Sequence, residues 1–344
     1  MNQVEDEYDN QFQPRKKMRH ISILIPQGHS SMVNIEGTHQ ILCGVNDLLK
    51  GMGKGPLFNV QLVGLERETR QTTGLFSIMP NVLLKDVQKT DMIIIPALHG
   101  DQVLARKRNE EFIPWIIQQY RAGAEVVSFC IGAFFLAATG LLEGKQCATH
   151  WLHANDFRKM YPEVKLVDDK IMTEENGVYT SGGAYSYLNL LLYLIEKYAG
   201  REVAIMISKT FMIDMDKHSQ SPFIMFQGQK SHEDAAIKKA QEFIEYNYQD
   251  KITVDQLATM FALGRRSLER RFKKATSNTV TEYIQRVKIE AAKKDLENSR
   301  KNITEVMYDV GYSDNKAFRT VFKKITNLSP IEYKNKYNKE TVMI

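Results

Sequence analysis

Cys130 is the side chain best placed for covalent chemistry. It lies in Glu125-Val126-Val127-Ser128-Phe129-Cys130-Ile131-Gly132-Ala133-Phe134-Phe135-Leu136-Ala137, where a strand-like apolar run turns into a helical one. A side chain at such an elbow is expected at the carboxyl end of a parallel sheet, where a helix N-terminus favours a thiolate. The geometry is that of a nucleophile elbow, although the flanking glycines are incomplete. The spacing predicts that Cys130 reacts with thiol reagents near neutral pH faster than Cys43 or Cys147. His150 follows twenty residues later. His150 and His153 stand at i, i+3 with Asp156 beyond, but a fourth ligand is not evident, so a structural role is expected and no metal site. Met206, Met212 and Met215 read as core or interface packing.

A different chemistry, charge on helices, fills the C-terminal third. Ile252-Thr253 recurs as Ile303-Thr304, Phe272-Lys273-Lys274 as Phe322-Lys323-Lys324, and Glu282-Tyr283 as Glu332-Tyr333. Each copy reads helix, glycine-bearing turn, helix, the arrangement that presents a second helix to the DNA major groove. In the first copy Thr253 caps a helix that buries Val254, Leu257, Ala258 and Phe261. The turn Ala262-Leu263-Gly264 leads to a helix over Arg265 to Ala275 that buries Leu268 and Phe272 and turns Arg266, Arg270, Arg271, Lys273 and Lys274 outward. In the second, Thr304 caps a helix burying Val306, Met307 and Val310, and Gly311 makes the turn. Ser313 caps a helix that buries Ala317, Phe318, Val321 and Phe322 and exposes Asn315, Lys316, Arg319, Lys323 and Lys324. A helix from Thr281 to Leu296 joins the copies. Two recognition helices about 34 Å apart could enter successive major grooves from one side.

The elements that must position Cys130 alternate short β-rich runs with helical patterns, the signature of a mostly parallel sheet covered by helices. Strands are predicted at Ile21 to Ile25, Phe58 to Val63, Leu75 to Met79, Met92 to Ala97 and Glu125 to Phe129, with helices at His39 to Leu49 and Asn109 to Arg121. Asp168 to Ser181 reads as a hairpin about Asn176-Gly177. Two helices follow, Tyr185 to Tyr198 and Glu202 to Ile213, with Gly200 stopping the first. The expected domains are a disordered tail over 1–18, an α/β domain over 19–215, a linker over 216–232, an all-α domain over 233–338 and a tail over 339–344. Residues Pro222 to Phe226 are more apolar than a free linker needs, so the linker is expected to pack along the first domain.

Composition agrees with a two-domain soluble protein. No apolar run reaches membrane-spanning length, and the first twenty residues lack the apolar core of a secretory signal, so a cytoplasmic location is expected. Three scattered cysteines make no disulfide framework. The net charge of +5 is unevenly spread: 22 Lys and Arg face 16 Asp and Glu from residue 231 onward, against 24 and 25 before it. That is the balance of a phosphate-binding module joined to an ordinary domain. The basic cluster Arg15, Lys16, Lys17 and Arg19 reads as part of a solvated tail.

On Leu257-Ala258, Ser267 to Lys274, Arg286 to Ala292, Gly311-Tyr312-Ser313, Phe318, Phe322-Lys323-Lys324, Leu328-Ser329-Pro330 and Tyr333, the C-terminal part resembles the AraC/XylS regulators. The resemblance puts base-edge readers at Arg266, Glu269, Arg270, Asn315, Lys316, Arg319 and Thr320, with Lys273, Lys274, Lys323 and Lys324 meeting phosphates. Thr279-Val280 departs from the family's usual Ser-Pro. The region around Cys130, over about residues 20–200, resembles the PfpI-like branch of the class I glutamine amidotransferase-like superfamily, a flavodoxin-like sandwich of helices about a parallel sheet. With Gly140 to Gly144, Thr149-His150-Trp151 and Thr180 to Gly183, the two parts together resemble GlxA-type regulators.

The resemblance implies a sensor or dimerisation domain. Proteolytic relatives carry a histidine directly after the cysteine, where Ile131 stands here. Others use a histidine near His150 and a carboxylate for which Glu36 is the available acid, with Asn34 nearly as good a match. Cys130, His150 and Glu36 are therefore expected to be a vestigial elbow or ligand pocket, with no catalytic residue, cofactor or metal. The resulting expectation is a homodimeric regulator of promoter DNA, with RNA polymerase as a candidate partner and a small-molecule effector. The competing reading is a cysteine-dependent hydrolase, amidase or deglycase with an accessory DNA-binding tail.

Overall fold

The computed structural model describes residues 17–71 and 75–338. The C-terminal tail and all of the expected N-terminal tail except Lys17 and Met18 lie outside the described residues. The chain divides into two compact units between His218 and Ser219.

The first unit is built on seven strands: β1 Arg19–Ile25, β2 Phe58–Gly64, β3 Val82–Leu83, β4 Met92–Ile95, β5 Glu125–Ser128, β6 Met172–Glu175 and β7 Val178–Ser181. Their order is β6-β7-β5-β4-β1-β2-β3, parallel except for the β6–β7 hairpin. Residues 21–25 of β1 and all of β4 are buried, as central strands covered on both faces require. One face packs against helices α1 Met32–Gly51, α6 Tyr187–Ala199 and α7 Arg201–Thr210 through Ile41, Val45, Leu190, Leu194 and Ile207. The other face packs against Phe112 and Ile116 of α3 Phe112–Arg121, Phe135 of α4 Gly132–Ala137 and Phe157 of α5 Ala154–Met160. The hairpin turns on Asn176 and Gly177, both at positive φ, as the Asn-Gly pair predicts.

Two expectations change here. The strand expected at Leu75 to Met79 shrinks to Ser77–Ile78, which pairs with Thr69–Arg70 away from the main sheet. Leu75 and Met79 are each 77% exposed, so this run has no second face to bury, and β3 takes the sheet edge. The helix expected over Asn109 to Arg121 is α3, which starts only at Phe112, and a helix not expected there, α2 Gln102–Arg108, precedes it. Buried Asn109 separates the two: its side chain accepts from Gln27 N–H at 2.7 Å and donates to the Gln27 carbonyl at 3.0 Å, tying the end of α2 to the loop after β1.

The second unit contains α8 Ala235–Tyr246, α9 Val254–Met260, α10 Arg265–Thr276, α11 Val280–Asn298, α12 Ile303–Asp309, α13 Asn315–Thr326 and α14 Pro330–Tyr337. The repeat is physical as well as sequential. Phe272 stands edge-on to Tyr283 at 5.2 Å, and Phe322 to Tyr333 at 5.5 Å. Each tyrosine then donates to a glutamate, Tyr283 to Glu245 at 2.6 Å and Tyr333 to Glu297 at 2.5 Å. The duplication also reaches further back than the repeated motifs indicate. Ile237, Ala240, Ile244 and Glu245 of α8 hold the places that Ile289, Ala292, Leu296 and Glu297 of α11 hold in the second copy. Thus α11 ends one copy and begins the next.

Local caps differ from expectation in the second copy. Asn302 caps α12, forming a capping box with Glu305, and Asp314 caps α13; Thr304 lies inside α12 and Ser313 precedes the cap. The Asn302 side chain accepts from the Thr304 and Glu305 N–H groups and that of Asp314 from the Ala317 N–H, so these two residues satisfy the free donors at the helix starts. Ala317 is exposed and Val321 half-buried, so α13 buries a narrower stripe of Phe318, Phe322 and Thr326. In the first copy Ala262 rather than Gly264 takes the positive φ. Thr279 caps α11 through a box with Glu282, so the departure from Ser-Pro leaves that helix start intact.

The linker expectation is overturned. Residues 219–226 pack on the second unit, where Phe226 stands edge-on to Tyr283 at 5.1 Å and Tyr337 donates to the Pro222 carbonyl at 3.3 Å. Lys293, 4% exposed at its side chain, donates to the Ile224 carbonyl and pairs with Glu290 at 2.7 Å, while Glu290 accepts from Phe226 N–H. Aromatic burial and a satisfied ion pair claim this strap. Replacing Phe272 or Phe322 by alanine should cost about 3 to 5 kcal/mol in urea denaturation, because each is fully buried in a clasp. A loss below about 1 kcal/mol would show that the clasp is dispensable.

Candidate nucleic-acid interface and elbow site

Leu268, Phe272 and Thr276 hold α10 to its core, which leaves Arg266, Glu269, Arg270, Lys273 and Lys274 exposed. In α13 the matching anchors are Phe318, Phe322 and Thr326, and Asn315, Lys316, Arg319, Thr320, Lys323 and Lys324 are exposed. All eleven expected DNA-facing side chains thus emerge from these two helices. They are not equally free. Arg266, Arg270, Lys316 and Arg319 make no ion pair among the described residues, whereas Glu269 lies 3.5 Å from Arg265. Lys273 donates to the Ser277 carbonyl at 2.8 Å and stands 3.8 Å from Glu282. Thr320 donates its hydroxyl to the Lys316 carbonyl. Arg271, read from sequence as outward-facing, instead grips the Asp234 cap of α8 with bonds of 2.6 and 2.8 Å. That guanidinium is the main cause holding the Asp234 carboxyl below its ordinary range.

In the first unit the backbone forms the elbow expected at Cys130. Phe129 N–H still bonds across to the Ile95 carbonyl, and Cys130 then turns at φ +55°, a strained conformation for a non-glycine residue. Cys130 N–H donates to the Ser181 carbonyl at 3.1 Å, and its own carbonyl accepts from the Thr149 hydroxyl at 3.0 Å. Gly132 is obligatory, since a methyl there would come within 2.5 Å of the Pro96 carbonyl oxygen. Between the ends of β1 and β4 lies a cavity of about 280 Å³ lined by residues including His29, Leu98, His99, Asp101, Leu104 and Arg108; Cys130, His150 and Glu36, the expected pocket residues, do not line it. The chain leaves β1 toward β2 on one side and returns to β4 on the other, so this is the topological switch point where open α/β sheets bind ligands.

Comparison with known proteins bears on both units. The DJ-1/PfpI family matches residues 50–197, and a helix-turn-helix domain matches residues 257–336. The HTH-type transcriptional regulator ArgR of Pseudomonas aeruginosa is 25% identical over 219 residues, covering 63% of this chain and 66% of its own length. GbdR of the same species is 24% identical over 275 residues, 77% of this chain and 71% of its own. GlxA of Rhizobium meliloti is 22% identical over 211 residues, with 61% and 65% covered. The chain is an AraC-type helix-turn-helix regulator with a DJ-1/PfpI domain. The alignments span about two thirds of these relatives' length. The crystal structure of a Vibrio parahaemolyticus protein, 23% identical, matches with a TM-score of 0.51 over 57% of this chain and all of its own, which supports the sandwich fold.

In this regulator the chemistry at Cys130 departs from expectation. The residue is 5% exposed, and burial pushes its thiol up to about 11, with only the Ile131 N–H bond pulling the other way. The helix that follows has six residues, too short a dipole to outweigh desolvation. His150 is half-buried and spends Nδ1 accepting from Leu152 N–H at 3.1 Å. Burial first, then His153 and His99, lower its pKa. Among the described residues no hydrogen bond joins it to Cys130. Glu36 is exposed on α1 and accepts from Gln40, so it does not serve the elbow; buried Asn34, two residues earlier, accepts from Ala97 N–H at 3.1 Å. Among the described residues no group of three or more His, Cys, Asp or Glu is arranged to hold a metal ion. Met215 packs against the core, and Met212 is 92% exposed.

The cavity went unread in the sequence, though its histidines carried a signal. His29 and His99 follow strands that are neighbours in the sheet, and their rings lie 4.9 Å apart. Burial first, then His29 and His153, hold His99 below its ordinary pKa. The earlier ranking of thiols is reversed: Cys43, half-buried on α1, should be alkylated before Cys130 or Cys147 in the folded protein at pH 7. Cys130 labelling should accelerate only as pH approaches about 11. Time-resolved mass spectrometry of labelled peptides checks this, and preferential Cys130 labelling at pH 7 would refute it.

Proposed function

We propose that this regulator reads promoter DNA with α10 and α13, and that its DJ-1/PfpI domain binds a small effector at the β1–β4 cavity without turning it over. The observation that carries the DNA reading is the pair of matched helices, each held by an aromatic clasp and each presenting unpaired cations. Unpaired arginines suit bidentate contacts to guanine, so Arg266, Arg270 and Arg319 are assigned to base edges along with Asn315, Lys316 and Thr320. Lys274, Lys323 and Lys324 are assigned to phosphates; Glu269 and Lys273 contribute after release from their present partners. A homodimer formed through the DJ-1/PfpI domain, a cytoplasmic location and contact with RNA polymerase complete the proposal. No helix among the described residues is long and apolar enough to cross a membrane.

The rival reading, hydrolysis at Cys130, asks for an activated thiolate. A thiol raised to about 11, with neither His150 nor Glu36 bonded to it, supports binding over turnover. Arg270→Ala or Arg319→Ala should weaken binding to a selected operator by about 1 to 3 kcal/mol, whereas Lys323→Ala should weaken all sequences alike and flatten the salt dependence. Fluorescence anisotropy against salt measures both, and unchanged affinity in the two arginine variants would misplace the reading face. Cys130→Ser should leave that affinity intact. Amidase, peptidase or deglycase turnover that disappears in Cys130→Ser would promote the rival.

A further inference from the structure

Within α11, Val287 is the last residue packed into the core of the first copy and Ile289 the first packed into the core of the second. Between them stands Lys288, 7% exposed. Its ammonium donates to the carbonyls of Val310 at 3.0 Å, Asp250 at 3.3 Å and Gly311 at 3.4 Å, and lies 5.6 Å from the centre of the Tyr312 ring. Asp250 is in the loop between α8 and α9, three residues before the Thr253 cap. Val310 and Gly311 form the turn between α12 and α13, and Gly311 is three residues before the Asp314 cap. One side chain therefore grips the main chain of both copies just ahead of a helix start.

The junction is close-packed. Gly311 has φ +74°, and a methyl added to it would overlap the Gln249 carbonyl oxygen and the Lys288 ammonium, so the first copy's loop lies directly on the second copy's turn. A buried ammonium is costly, and an apolar residue of similar size commonly stabilises a core at least as well. No carboxylate among the described residues pairs with Lys288; its three donors all go to backbone carbonyls. Backbone acceptors do not swing away as a glutamate would, so these bonds hold two chain segments at one separation.

We propose that Lys288 is a positioning residue that fixes the offset between α10 and α13, and through it the spacing of the two base motifs the regulator accepts in DNA. This rests on the DNA reading above. The test is selection from random duplex DNA by the full-length wild type and by Lys288→Met, with circular dichroism and thermal unfolding as the fold control. Wild type should recover two motifs at a single separation. Lys288→Met should recover the same motifs with the separation spread by about one base pair or more. If the methionine variant does not fold, Lys288→Gln, which keeps one amide donor group, replaces it. A folded variant that keeps the single separation overturns the proposal and leaves the DNA reading standing. Wild type that enriches no motif overturns both.

Discussion

A recognition helix can read DNA only if its inner face is held while its outer face stays bare, and here the edge-to-face contact of phenylalanine with tyrosine does the holding. Phe272 on Tyr283 and Phe322 on Tyr333 fasten α10 and α13 to the helices that follow them, and each tyrosine hydroxyl runs on to a glutamate of the helix that opens its copy. Three helices per copy are thereby joined through one aromatic ring. Because the rings supply the anchorage, the arginines of the outer face are left without structural partners, apart from Arg265 and Arg271 at the margins.

The helical unit was legible to the extent that its periodicity was local. Phe272, Leu268 and their counterparts recur at helical spacing beside Lys pairs, so the two recognition helices and their exposed cations could be read residue by residue. The opening helix of the first copy escaped notice because its match to α11 rests on four positions, Ile237, Ala240, Ile244 and Glu245, with no shared dipeptide to draw the eye. The strap over residues 219–226 was assigned to the wrong unit for a related reason. Its apolar character is local information, but the identity of the surface it covers depends on Tyr283, Glu290 and Lys293, more than fifty residues away.

At the elbow, backbone and chemistry part company. The alternation of β and helical patterns placed Cys130 at a strained turn after a central strand, and it is there at φ +55°. Its electrostatics could not be read the same way, because they depend on how deeply the neighbouring loops cover the sulfur and on how long the next helix is. Both work against ionisation. Glu36 illustrates the same limit: a helix turns by 100° per residue, so Asn34 reaches into the fold while the acid two positions on looks out to solvent.

The strap also bears on where the DNA-binding module ends. The helix-turn-helix match begins at residue 257, inside α9, and the visible repeat begins only slightly earlier. Yet cutting there would strip the first copy of α8 and of Glu245, and cutting at 233 would leave Tyr283 without Phe226 and Lys293 without the Ile224 carbonyl. The smallest piece that keeps every buried donor and aromatic face covered begins near Ser219. Autonomy as a folding unit is thus wider than the stretch that bears recognisable likeness, and excision or fusion of this module has to respect the wider limit.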